Sequence, residues 1–282
     1  MLSRNRFIVS ARNVRLELGE RTLLMGILNV TPDSFSGDGQ QGVRGAVRRA
    51  LRMVREGADI IDVGGESTRP GAERIGTKVE TGRVVPVIRK IVQETGVPVS
   101  IDTYKPEVAL AALDAGASIV NVVRGTPVST RLLKIVKRFG AAIVLMHIRG
   151  TPRTMQSRTD YRDVVKDIVD ELKISVEKCL ETGIKKESIL IDPGIGFAKT
   201  VGQNLEIIRR LREFRILGRP VLIGPSRKSF IGKTLDLPVE KRLIGTAAAV
   251  AASIMNGAHI VRVHDVRAIK QVAAMVDAIL AA

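Results

Sequence analysis

The chain has 282 residues, 45% of them apolar and 26% charged. That balance suits a soluble globular protein and excludes a disordered one. No uncharged stretch approaches the roughly 20 residues of a membrane span. The opening residues lack the apolar segment of a secretory signal, so a cytoplasmic protein with no membrane partner is expected. The formal charge is +16, but the basic residues share helices with apolar stripes. Arg44, Arg48, Arg49, Arg52 and Arg55 alternate with Val47, Ala50, Leu51 and Val54. They read as solvated outer faces. With only two Tyr and six Phe, no stacking platform for nucleic acid is expected. The single cysteine, Cys179, falls inside a helical pattern and reads as a buried small hydrophobe.

Residues 1–20 predict a short β extension that turns at Gly19 into a single domain over 21–282. LLMGIL then runs into Asn29, and a helix over 43–56 stops at Gly57. DIIDV carries Asp62 into Gly64, Gly65 and Glu66, and a helix over 78–95 stops at Gly96. VPVSI ends at Asp102, and a helix from Pro106 ends at Gly116. ASIV ends at Asn121, and a helix over 128–139 stops at Gly140. AIVLM ends at His147, and the longest helix, 160–182, stops at Gly183. SILI ends at Asp192, with a helix from Gly202 to about 214. PVLIG leads to Ser226 and Lys228, with a helix over 240–256. AHIV leads to Arg262 and His264, and a helix over 265–281 closes the chain. Glycine just past a helix end is the expected C-terminal cap.

Eight apolar runs, each followed by a helix, predict an α/β fold, a (β/α)8 TIM barrel with a short N-terminal β extension. The near-continuous apolar runs suit strands buried on both faces. An open doubly wound sheet would want a glycine-rich fingerprint after the first strand. The residues there are Asn29-Val30-Thr31-Pro32-Asp33-Ser34-Phe35. Barrel active sites sit at the carboxyl ends of the strands, so the polar residues that end the runs should share one mouth.

Asp102 and Asp192 are poorly solvated there unless partnered. With Asn121 and Lys228 they suit a ligand edge rich in donors, such as a 2-amino-4-oxo pyrimidine-type ring. A polar plug in which these groups satisfy one another stays open as an alternative. Arg262 and His264 follow the eighth strand, where barrels commonly bind phosphate. Asn29 offers an oxygen to a hard cation such as Mg2+. The long connections 30–42 and 65–77 have the length of functional loops.

Six separated segments carry a resemblance. They are Asn29 to Ser36, Gly65 to Gly71, Ile101-Asp102-Thr103, Asp192 to Phe197, Ser226 to Gly232, and Arg262 to Val266. In this order they resemble the signatures of the dihydropteroate synthase family, pterin-binding TIM barrels. The resemblance implies that 7,8-dihydropterin pyrophosphate and 4-aminobenzoate condense to dihydropteroate with Mg2+, releasing pyrophosphate. It implies pterin contacts from Asp102, Asn121, Asp192 and Lys228, and pyrophosphate contacts from Asn29, Arg262 and His264, with Asn29 also on the metal. It implies an aminobenzoate side built from Thr68, Arg69, Pro70, Phe197, Ser226 and Phe35. Lys228, Asp102 and Arg69 would be the catalytic residues, and a homodimer is expected. Three places depart from the family pattern: Val122, the order Gly37-Asp38, and Ala198, where glycine is usual. A catalytically weakened pterin-binding paralogue and a pterin-barrel methyltransferase are the alternatives.

Overall fold

The structure, a computed structural model, describes residues 4–30, 39–67, 74–151 and 153–282. The expected β extension is an antiparallel hairpin of β1 (Phe7–Ala11) and β2 (Val14–Leu18). Its inward residues Val9, Ala11, Leu16 and Leu18 are buried. They pack on Met25, Ile60, Ile119, Val144, Leu190, Leu222 and Ile260. The hairpin therefore plugs the amino-terminal end of the barrel.

The barrel strands are β3 (Leu23–Asn29), β4 (Ile60–Gly64), β5 (Val99–Asp102), β6 (Ile119–Val122), β7 (Ala142–Met146), β8 (Ile189–Asp192), β9 (Leu222–Ile223) and β10 (Ile260–Val263). They are parallel, in the order β8-β7-β6-β5-β4-β3-β10-β9. A parallel bridge between Ile191 and Val221 links the two ends of that order. Around them lie α1 (Gly39–Arg55), α2 (Thr77–Glu94), α3 (Pro106–Asp114), α4 (Thr130–Phe139), α5 (Val164–Thr182), α6 (Val201–Arg209), α7 (Ser229–Leu235), α8 (Leu243–Met255) and α9 (Val266–Ala281).

The side chains of a strand alternate between its two faces. Ile61, Val63, Ile101, Val120, Ile191 and Val261 pack toward the helices. Their neighbours Ile60, Ile119, Leu190 and Ile260 fill the barrel. Two residues further along each strand, the inward positions are Asp62, Asn121, Asp192 and Arg262. Alternation alone thus aims the polar residues into the upper barrel, above an apolar floor.

Several helix bounds differ from the sequence expectation, for local reasons. The fifth helix starts at Val164 because the Asp163 carboxylate accepts from the N–H groups of Val165 and Lys166. The sixth breaks at Arg210 and continues as a 3-10 helix, Leu211–Leu217. In that winding residues three apart eclipse, which buries Leu211 and Phe214 together. α7 was not foreseen. The helix expected over 240–256 starts as a 3-10 turn, Val239–Lys241, before α8. Cys179 is buried, and burial pushes its thiol up to about 12.

Candidate active site

Register places the polar groups at one height. Asn29 pairs with Gly64, Gly64 with Asp102, and Asp102 with Asn121. On the other side Met146 pairs with Asp192. Asp102, Asn121, Asp192, Lys228, Arg262 and Phe197 line one cavity at this mouth. Larger cavities lie elsewhere, but the mouth is where opposed charges and ligand-sized polar edges converge.

Arg262 organises the interior. Its Nε donates to Asp62 Oδ2 at 2.6 Å and its Nη2 to Asp102 Oδ2 at 2.7 Å. Asn121 Nδ2 also donates to Asp62 Oδ2, at 3.1 Å. One guanidinium therefore serves two carboxylates, and Oδ1 of each is buried without a partner. Burial, opposed by Arg262 and reinforced by Asp62, lifts Asp102 to about 7. Burial also lifts Asp192 to about 6, although Gly194 N–H donates to its Oδ1 at 2.7 Å and Lys228 lies nearby. Burial and then Arg262 lower Lys228 to about 8. The mouth cavity holds only about 20 Å3, and Arg262, paired with Asp62 and Asp102, forms part of its lining.

The loop after β8 shapes the other wall. Gly194 has φ +72, and a Cβ there would stand 1.9 Å from the His147 carbonyl oxygen. Only glycine fits. Gly196 has φ +81, and a Cβ would meet Lys228 Cδ at 2.9 Å. The missing side chain lets Lys228 lie with its Nζ 3.9 Å from the centre of the Phe197 ring. Lys199 fixes this loop from beneath. Its Nζ donates to the Phe197 carbonyl at 2.9 Å and lies 3.0 Å from His147 Nδ1. His147 Nε2 lies 3.0 Å from Glu171 Oε2. Burial, then Lys199, lowers His147 to about 4, so the ring is neutral with its proton on Nε2, toward Glu171. Burial likewise lowers Lys199 to about 7. Ala198, where the family pattern has glycine, is held at φ 51.

On the β9–β10 side, Ser226 Oγ accepts from His264 N–H at 3.2 Å and lies 3.0 Å from His264 Nδ1. The hydroxyl donates to Nδ1, which leaves the imidazole proton on Nε2. Burial, then Arg262 and Arg227, lowers His264 to about 4. Asn29 is exposed at the end of β3. Phe35, Thr68, Arg69 and Pro70, together with Gly37 and Asp38, lie outside the described residues.

Sequence reasoning assigned no role to Asp62, Lys199 or Glu171. Asp62 had a signal, an acid inside the otherwise apolar run DIIDV. Lys199 stands two residues past Phe197 in an already suspected loop. Glu171 is mid-helix and had none. Two of the expected site residues also make contacts within the protein. Arg262 is held by Asp62 and Asp102 across the barrel, and Ser226 is bonded to His264.

Comparisons with known proteins agree with this architecture. The family model for pterin binding enzyme matches residues 25–264. The dihydropteroate synthase of Synechocystis is 48% identical over 263 residues, 93% of this chain and 91% of that protein. The dihydropteroate synthase structure from Clostridium difficile, solved in the presence of pteroic acid, aligns with a TM-score of 0.88 and 45% identity. That alignment covers 94% of this chain and 98% of that one. The Xanthomonas albilineans enzyme, solved with 4-aminobenzoic acid, aligns with a TM-score of 0.90 and 38% identity, covering 99% and 100%. The chain belongs to the pterin-binding enzymes and, among them, to the dihydropteroate synthases.

Proposed function

We propose that the barrel mouth condenses 7,8-dihydropterin pyrophosphate with 4-aminobenzoate to give dihydropteroate and pyrophosphate. The observation that carries this reading is the convergence of Asp102, Asn121, Asp192 and Lys228 on one cavity beside Arg262. Relatives solved with pteroic acid and with 4-aminobenzoic acid support it.

Asp192 and Asp102 accept from the N–H groups of the pterin edge, Asn121 both donates and accepts, and Lys228 faces a ring carbonyl or nitrogen. Arg262, at the cavity wall, offers its guanidinium to the diphosphate. His264 adds a donor through Nε2. The methylene C–O bond breaks with its electron pair passing to the diphosphate. The amine lone pair of aminobenzoate forms the C–N bond, and the surplus amine proton passes to water. The amine attacks as a neutral group, so orientation and electrostatics carry the rate, with no strong base required. Phe197 and Ser226 are the described residues assigned to the aminobenzoate side; the family resemblance also assigns Thr68, Arg69, Pro70 and Phe35 to it.

Among the described residues no group of three His, Cys, Asp or Glu could hold a metal. Asn29 offers one hard oxygen, which suits Mg2+ carried in by phosphate oxygens and water. A Mg2+ ion held there would supply positive charge against the leaving diphosphate. Among the described residues no helix is long and apolar enough to cross a membrane. Ile244 on α8 and Met275 and Ile279 on the neighbouring α9 are exposed apolar residues, and they support a homodimer through the outer helices.

The test is pyrophosphate release with both substrates and Mg2+, and with aminobenzoate omitted. Release that requires aminobenzoate is expected. Absent release, or release indifferent to aminobenzoate, would exclude the condensation.

A further inference from the structure

The opposite end of the barrel carries positive charge that the mouth does not use. Beside the hairpin lies a cavity of about 140 Å3 whose lining includes Arg4, Arg212, Arg215, Arg219, Phe7 and His259. Four acids of this region are committed to other partners. Arg4 pairs with Asp277 at 2.5 Å. Arg210 takes Asp163, Glu206 and Glu213 together. Among the described residues Arg212, Arg215 and Arg219 form no ion pair. Glu187 is close enough to favour the charge of Arg219 without pairing with it.

Arg219 is the most informative of the three. It is 7% exposed. Its Nε is buried without a hydrogen-bond partner, and its Nη1 makes a long 3.4 Å bond to the Lys186 carbonyl. Burial lowers its pKa. A buried guanidinium without an ion-pair partner is costly, and the cavity beside it leaves room for an anion to supply that partner. Arg212 Nη2 donates to the Met255 carbonyl at 2.6 Å, which holds the side chain over the cavity. The 3-10 winding of Leu211–Leu217 eclipses residues three apart, so Arg212 and Arg215 stand side by side. The left-handed turn at Gly218 then brings in Arg219.

His259 is wall rather than ligand. Its Nδ1 accepts from Val221 N–H at 3.1 Å and its Nε2 donates to the Asn5 carbonyl at 3.0 Å. Burial lowers it to about 4, so it is neutral.

We propose that this floor site binds a phosphate or diphosphate group through Arg212, Arg215 and Arg219. Three planar guanidinium forks match the oxygens and the multiple charge of a phosphoryl group, whereas a single carboxylate would leave most of the charge unanswered. The cavity, about 140 Å3, has room for an inorganic anion between these side chains.

The experiment is calorimetric titration with inorganic pyrophosphate in EDTA, using the full chain and its R212S/R215S variant. Both positions are at least partly exposed, so the core is untouched. The parent is expected to bind an equivalent that the variant loses or holds at least about tenfold more weakly. Arg262→Met should keep that equivalent. Parallel titrations with inorganic phosphate and ATP separate a free anion from a nucleotide as its source, and either ranking leaves the site in place. No binding by the parent, or equal binding by parent and R212S/R215S, overturns the proposal.

Discussion

Arg262→Met is the most severe perturbation of the polar interior. The substitution keeps an unbranched side chain and removes the charge. Asp62, with 0% side-chain exposure, and Asp102, with 10%, then share the upper barrel without their common guanidinium. Each already has one buried oxygen without a partner. Removing one member of a buried ion pair costs about 3–5 kcal/mol, because the remaining charge is left uncompensated. The loss depends on pH. Asp102 already stands at about 7 because burial outweighs the opposing effect of Arg262, and without Arg262 it rises further. An acid raised in the folded state binds more protons when native than when unfolded. Its contribution to stability is full below its unfolded value near 3.9, and is lost as pH rises through the folded value. Each further unit of rise adds about 1.4 kcal/mol to the loss at high pH. Urea unfolding of parent and variant, at about pH 5.5 and about pH 8.5, measures this. The variant's deficit should be larger at the higher pH by at least about 1 kcal/mol, and Asp102→Asn in the same background should recover part of it. The same deficit at both pH values, or one below about 1 kcal/mol, would refute the uncompensated-carboxylate reasoning.

Gly194→Ala should destabilise the chain by about 3 kcal/mol or more, since it adds left-handed strain and a clash with the His147 carbonyl. A urea midpoint within error of the parent's would mean that the loop moves aside. Ala198→Gly relieves a residue held at φ 51. It gains about 1–2 kcal/mol of backbone strain and loses about 0.8 kcal/mol of buried methyl. The variant should be at least as stable as the parent, and a clear loss would show that methyl packing dominates. Pterin affinity should rise through about 6 and about 7, where Asp192 and Asp102 give up their protons, and fall above about 8, where Lys228 loses one. Lys228→Met should remove the upper limb, and an unchanged profile would take Lys228 out of recognition.

The fold was legible because strand and helix periods differ and because glycine stops most helices. Gly140 and Gly183 do adopt the left-handed cap conformation. α7 was illegible because seven residues carry too little periodicity to separate from a loop. The ends of the strands pointed to the mouth, since alternation along each strand aims Asp102, Asn121, Asp192 and Arg262 inward. Their pairing was not readable. Arg262 and Asp62 are 200 residues apart, and only barrel closure makes them neighbours. Asp62 was passed over because an acid within an apolar run reads first as strand. The Lys199–His147–Glu171 chain joins two loops and the middle of a helix, which no local spacing encodes.

The most direct measurement is calorimetric titration of the parent and of Asp192→Asn with 6-hydroxymethyl-7,8-dihydropterin. The carboxylate is buried at the cavity wall and can accept from the ring's N–H groups. The parent should bind one equivalent, and the variant should lose about 2–4 kcal/mol of binding while remaining folded, because its amide leaves ligand donors unpaired. Equal affinity in parent and folded variant would contradict the claim that the mouth receives a pterin edge.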